Sequence, residues 1–199
     1  MFPTTGLVIL AAGASTRMGT PKQLLLNQKR SFLCHVVETA VASICRPIVV
    51  VLGAHAEQLK HEVCHLPVQV VENAQWAAGM SSSIRAGIQV ISAAPEKIEA
   101  VVLLLCDQPF VSPQIINQLV ETYHFTGKSI VASAYAETLG VPALFSRTLF
   151  SELITLREAE GAKQIIMKHI AQVLSVPFPE GVIDIDTPED YEQFQTMTD

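Results

Sequence analysis

At 199 residues, 49% hydrophobic and 16% charged, the chain has the length and composition of one folded domain and not of a disordered chain. A net charge of −6 excludes broad binding to nucleic acid or to an anionic membrane surface, so a phosphate site must gather its cations locally. The longest apolar run, residues 100–106, is far too short to cross a bilayer, and residues 1–6 lack the basic start of a signal peptide, so the expectation is a cytoplasmic protein.

Residues 7–10 are four apolar residues that predict a buried strand, and a loop of small residues with Gly13 follows. The spacing of Phe32, Val36, Val37, Ala40, Val41 and Ile44 predicts a helix over 31–44, with Ser31 as its N-cap. Residues 47–52 and 68–71 read as strands, with a short helix at 56–65 between them. A helix over 80–92 is introduced by Gly79 and three serines, and 100–105 is the most hydrophobic strand. Ser112-Pro113 opens another helix, serine at the cap and proline at the first turn. Strands are expected at 129–134, 143–145, 172–176 and 183–185, and helices at 147–156, 159–170 and from Thr187-Pro188 onward. Alternating β and α with all-apolar strands means a mostly parallel sheet covered on both faces in a single domain, with binding along the carboxyl ends of the strands. Cys34, Cys45, Cys64 and Cys106 have no C-x-x-C spacing and read as reduced core residues.

Four stretches carry chemistry. The loop from Gly13 to Lys22 brings two cations, Arg17 and Lys22, to the end of the first strand. That suits a polyphosphate, although the loop is neither a P-loop nor a G-x-G-x-x-G fingerprint and also fits an ordinary βα turn. Asp107 ends the most buried strand, where an ionised carboxylate is costly unless paired or bound to metal; the alternative is a cap for the helix near Ser112. Asp184 and Asp186, two apart on an expected strand, share a face, and Asp186 would join Asp107 in an Mg²⁺ site; capping ahead of Pro188 is compatible. Residues 73–84 place Asn73 and Ser81, Ser82 and Ser83 at a helix start that can meet a base or phosphate, or simply cap the helix. His61-Glu62-Val63-Cys64-His65 matches the H-E-x-x-H zinc signature literally, but it closes a short peripheral helix before Pro67 and is set aside.

Together these residues resemble a known family. Leu10-Ala11-Ala12-Gly13-x-Ser15-x-Arg17-Met18-Gly19-x-x-Lys22 is similar to the signature loop of the MobA-like nucleotidyltransferases of molybdenum-cofactor synthesis. Residues 105–109 and 184–190 resemble that family's two metal-binding motifs, and Asn73, Trp76, residues 79–83 and Gly161-Ala162-Lys163 also fit. Leu-Ala-Ala-Gly and Asp-Gln-Pro resemble the cytidylyltransferase branch, whereas Val141 and Glu160 stand where the family often has His and Asp. The resemblance implies a three-layer α/β/α Rossmann-like nucleotidyltransferase fold with a mostly parallel mixed sheet. The amino-terminal half would bind nucleotide and the carboxyl-terminal half the acceptor.

It also implies transfer of CMP from CTP to the phosphate of molybdopterin, with Mg²⁺ as cofactor and pyrophosphate released. Arg17, Lys22 and Asp107 would be catalytic, and Asp107 and Asp186 would hold the metal. Leu10, Ala11, Ala12, Gly13, Arg17, Lys22, Asn73, Ser81, Ser82, Ser83 and Asp107 would bind the nucleotide. A sugar-1-phosphate nucleotidyltransferase is one alternative. Another is a non-catalytic nucleotide-binding accessory protein with a molybdoenzyme or cofactor-insertion partner. A nicotinamide-dependent oxidoreductase fits the sheet but not the glycine pattern.

Overall fold

A computed structural model describes residues 4–27, 29–158 and 160–198. In chain order it contains β1 (Thr5–Ala11), a two-residue hairpin β2 (Leu26–Asn27) and β3 (Arg30–Ser31), α1 (Phe32–Ala42), β4 (Ile48–Leu52), α2 (Ala56–Val63), β5 (Gln69–Glu72) and α3 (Met80–Ser92). The second part holds β6 (Ala100–Leu105), α4 (Pro113–Thr126), β7 (Ile130–Tyr135), β8 (Thr138–Ser146), α5 (Phe150–Ile154), α6 (Ala162–Lys168), β9 (Val173–Pro177) and α7 (Pro188–Thr198).

Seven strands form one sheet in the order β5-β4-β1-β6-β8-β7-β9. All neighbours are parallel except β8, which runs antiparallel to β6 and β7. Alternate residues of the apolar central strands feed two cores, as the two-residue period of a strand requires. Leu7, Ile9, Val50 and Leu104 pack with α1, α2, α4 and Phe194 of α7. Val8, Val51, Val101 and Leu103 pack with α3, α5 and α6 on the other face. The architecture is therefore the expected three-layer, Rossmann-like one with a mixed, mostly parallel sheet. Among the described residues no helix is long and apolar enough to cross a membrane.

Helix starts follow their caps. Ser31 Oγ accepts from Cys34 N, and Ser112 Oγ from Ile115 N with Pro113 in the first turn. Gly79 caps α3 at φ 97°, a left-handed conformation that a side chain rarely adopts.

Four expectations need correction. The strand near 143–145 spans Thr138–Ser146. The ladder shifts register between Ala132 and Ser133, and Pro142, which has no N–H, falls beside that bulge, so the strand runs through it. Residues 183–185 form no strand. Ile185 is buried and its N–H donates to Asp107 O, so one anchor, not a ladder, produces the apolar–polar alternation. Cys45 and Cys106 are core residues, but Cys34 is half-buried and Cys64 is exposed. The region 147–156 divides into a 3₁₀ turn (Arg147–Leu149) and α5. The first residue of the helix expected at 159–170, and residues 1–3 of the segment read for a signal peptide, lie outside the described residues.

Candidate active site

The chain leaves β1 for β4 on one side and later places β6 on the other, so the crevice beyond β1 and β6 is the switch point of the sheet. Leu10 pairs with Leu105, and Cys106 N donates to Leu10 O at 3.3 Å. The loops that follow these strands, carrying Gly13 to Lys22 and Asp107, therefore emerge side by side. They border a cleft of about 330 Å³. Residues 10–14 form one wall, Trp76, Met80 and Ser83 another, and Lys22 and Asp107 stand among its lining.

The loop is tightly tied. Met18 N and Gly19 N both donate to Ser15 O, at 3.0 and 3.2 Å, around Ser15 at φ 53°. Lys22 N donates to Ser15 Oγ at 3.0 Å. Gln23 Nε2 donates to Ala11 O at 3.1 Å and Gly13 O at 2.9 Å. On the far side, a Cβ at Gly53 would sit 2.5 Å from Trp76 Cβ and 2.7 Å from Ala12 O, so only glycine lets these two cleft walls approach.

Lys22 Nζ donates to Asp107 Oδ2 at 2.6 Å and to Asp186 Oδ1 at 2.8 Å, and Arg17 donates to Asp186 Oδ2 at 2.7 Å. Burial pushes the Lys22 ammonium down, but the charge and hydrogen bonds of Asp107 and Asp186 outweigh it and hold its pKa above the ordinary lysine value. Burial raises Asp186, but Lys22 and Arg17 more than compensate and its pKa is lowered. Asp184 goes the other way: burial and the negative charges of Asp107 and Asp186 raise it. Asp186 N and Thr187 N both donate to Asp190 Oδ2, which secures the turn that presents Asp186 ahead of α7.

A divalent cation fits this corner. Asp107 Oδ1 is buried and has no hydrogen-bond partner among the described residues. Two carboxylates already converge on one positive charge. Among the described residues no group of three or more His, Cys, Asp or Glu is arranged to hold a metal, so the remaining ligands would be water and polyphosphate oxygens, the usual arrangement for Mg²⁺.

Of the expected nucleotide-binding residues, Leu10, Ala11, Ala12, Gly13, Lys22, Ser83 and Asp107 line the cleft. Arg17, and Asp186 of the expected metal pair, join through the ion pairs. Asn73 is buried and spends its amide on Ser82 Oγ and Ser83 Oγ, so it shapes the start of α3 from behind. Ser81 and Ser82 face a separate hollow with Arg85, because successive helical residues point about 100° apart. Gln108 also lies outside the cleft; its amide donates to Val141 O and Gly181 O, tying β8 to the turn before Asp184. Glu62 of the H-E-x-x-H pentad accepts a hydrogen bond from Ser31 Oγ.

A family model described as the MobA-like NTP transferase domain matches residues 7–173, which contain the loop, the cleft and Asp107. The chain belongs to this MobA-like nucleotidyltransferase family. It is 33% identical over 147 residues to the nicotine blue oxidoreductase of Paenarthrobacter nicotinovorans, covering 73% of this chain and 69% of that protein. It is 22% identical over 185 residues to the molybdenum cofactor cytidylyltransferase of Escherichia coli (strain K12), covering 92% of each. Rv0371C from Mycobacterium tuberculosis H37Rv, crystallised in complex with manganese, superposes with a TM-score of 0.76 at 27% identity, over 97% of this chain and 98% of that one.

Within this MobA-like domain, several wall residues had no binding role in the sequence reading, although Trp76 and Met80 stood in its family pattern. Gln23, Trp76 and Met80 all border the cleft. Trp76 and Met80 are large apolar residues left exposed, which only the fold reveals. For Gln23 the available signal was one polar residue directly after Lys22 and ahead of three leucines.

Proposed function

We propose that this protein transfers a cytidylyl group from CTP to the phosphate of a molybdopterin-type acceptor. An acceptor phosphate oxygen attacks the α-phosphorus, the bond from that phosphorus to the bridging oxygen breaks, and pyrophosphate leaves with the electron pair. The attacking phosphate is already ionised at neutral pH, so no general base is needed, and alignment with charge neutralisation carries the catalysis. The supporting observation is the convergence of Lys22, Arg17, Asp107 and Asp186 beside a cleft walled by residues 10–14 on one side and by Trp76, Met80 and Ser83 on the other.

In this reading residues 10–13 receive the base and ribose, and Lys22 and Arg17 hold the polyphosphate. Asp107 and Asp186 would hold Mg²⁺, which when bound polarises the α-phosphate. In the free protein Lys22 keeps the two carboxylates together, and it exchanges onto the polyphosphate when nucleotide enters. The carboxyl-terminal half, with Val141 and Glu160, takes the acceptor. Preference for CTP over GTP rests, by resemblance to the cytidylyltransferase branch, on Ala12, which borders the cleft, and on Gln108, which lies outside it.

The test is pyrophosphate release against all four nucleoside triphosphates with Mg²⁺, with and without molybdopterin. Release that needs both CTP and molybdopterin supports the proposal. Release with a sugar 1-phosphate instead moves the acceptor to sugars, and CTP binding without release leaves an accessory protein. The name of the Paenarthrobacter relative prompts a second reading as an oxidoreductase; NAD(P)H oxidation by this chain, with no pyrophosphate released from any nucleotide, would establish it.

A further inference from the structure

We propose that Gln23 is a positioning residue that sets the phosphate loop in its binding form before nucleotide arrives; this rests on the nucleotide-binding reading above. The side chain is 1% exposed, and a buried amide is costly unless both its ends are paired. Here both are. The Nε2 group holds Ala11 O and Gly13 O, and Oε1 accepts from Ser15 Oγ at 3.2 Å. Ser15 Oγ in turn accepts from Lys22 N. One amide thus joins the start of the loop, its left-handed corner at Ser15 and the backbone of its lysine.

An apolar side chain would fill the same space. It would not orient the peptides. In a trans peptide the C=O and N–H point in opposite directions, so holding the Ala11 and Gly13 carbonyls turns the N–H groups of Ala12 and Ala14 away from Gln23. The carbonyl between them, Ala12 O, is held by Ala54 N at 3.1 Å. Three successive peptides are pinned in this way. Ser15 at φ 53° is an unfavourable conformation for a residue with a Cβ, and its hydroxyl and carbonyl are both engaged in the ties that keep it there. The fixed Lys22 backbone then sets where its ammonium can reach. Preorganisation of this kind spares the bound state the cost of ordering the loop.

Trp76 is the single tryptophan and borders the cleft, so its fluorescence reports nucleotide binding directly. Wild type, Q23M and Q23E are titrated with CTP and Mg²⁺, and backbone amide hydrogen exchange is measured without ligand. Q23M keeps the shape and loses the hydrogen bonds. It should bind CTP about 100-fold more weakly, with faster exchange at 12–20 and unchanged exchange in α3 and β4. Q23E should bind more weakly still, because it sets a carboxylate against two carbonyl oxygens. CTP binding by Q23M within about threefold of wild type, or faster exchange throughout β1, β4 and β6, overturns the proposal and leaves Gln23 as a core residue. Should Q23M not fold, S15A cuts the link from Gln23 to Lys22 and should cost about tenfold in CTP affinity; unchanged affinity overturns the proposal. A wild-type protein that answers no nucleoside triphosphate overturns the nucleotide reading and this role with it, whereas wild-type binding with Q23M unaffected sinks the role of Gln23 alone.

Discussion

Replacing Lys22 by methionine removes the charge between Asp107 and Asp186 while keeping most of the side-chain volume. Removing one member of a wholly buried ion pair costs about 3–5 kcal/mol, because the other charge stays behind unpaired. Here the Lys22 and Asp107 side chains are 16% and 17% exposed, and Asp186 retains Arg17. The expected loss is therefore about 1–3 kcal/mol, or roughly 2–12 °C in Tm for a chain of this size.

The pH dependence separates charge from packing. The raised pKa of Lys22 means its contribution is complete below the ordinary lysine value of 10.5 and is lost as pH rises through the raised value. The lowered pKa of Asp186 means its contribution is present above the ordinary 3.8 and is lost as pH falls through the lowered value. The gap in Tm between wild type and K22M, followed by circular dichroism, should thus be widest between about pH 4 and pH 10 and shrink on both sides. The same variant should bind Mn²⁺ more tightly in the absence of nucleotide, since the lysine no longer competes for Asp107 Oδ2 and Asp186 Oδ1, and bind CTP more weakly. A Tm equal to wild type at pH 7, or a gap that persists undiminished at pH 3, refutes the electrostatic account. Unchanged Mn²⁺ affinity refutes the competition.

Asp107→Ala should abolish pyrophosphate release while the far-UV spectrum and cooperative melting persist; near-normal turnover would remove Asp107 from the metal site. Gly53→Ala should lower stability by about 1–3 kcal/mol through overpacking against Ala12 O and Trp76 Cβ, and weaken CTP binding by displacing the cleft wall. A melting temperature and CTP affinity equal to wild type would show that the wall yields without cost.

Much of this molecule was legible in local pattern. The α3 and β6 spans match the expected 80–92 and 100–105, and Ser31 and Ser112 cap the helices they announce. These features depend on period, caps and strand hydrophobicity, all of which act over a few residues. The cations at Arg17 and Lys22 and the carboxylates at Asp107 and Asp186 were visible as residue types at the ends of apolar runs. The reading failed where a local pattern had a nonlocal cause. The alternation at 183–185 comes from Ile185 docking on Asp107 O, 78 residues away by their numbers, and β8 continues through Pro142 because a bulge absorbs the missing N–H.

By itself the sequence determined that helices alternate with strands whose central members are apolar, and that Arg17, Lys22 and Asp107 follow the carboxyl ends of two of them. Only the tertiary structure decided their partners: that Lys22 bridges Asp107 and Asp186, that Asn73 and Gln108 support the cleft from outside it, and that Gln23 ties Ala11, Gly13 and Ser15 together. The physical reason is reach. A strand or a cap is set by neighbours in the chain, whereas a hydrogen bond or an ion pair forms only within about 3–4 Å, and which distant groups meet at that range is fixed by how the sheet is ordered and packed.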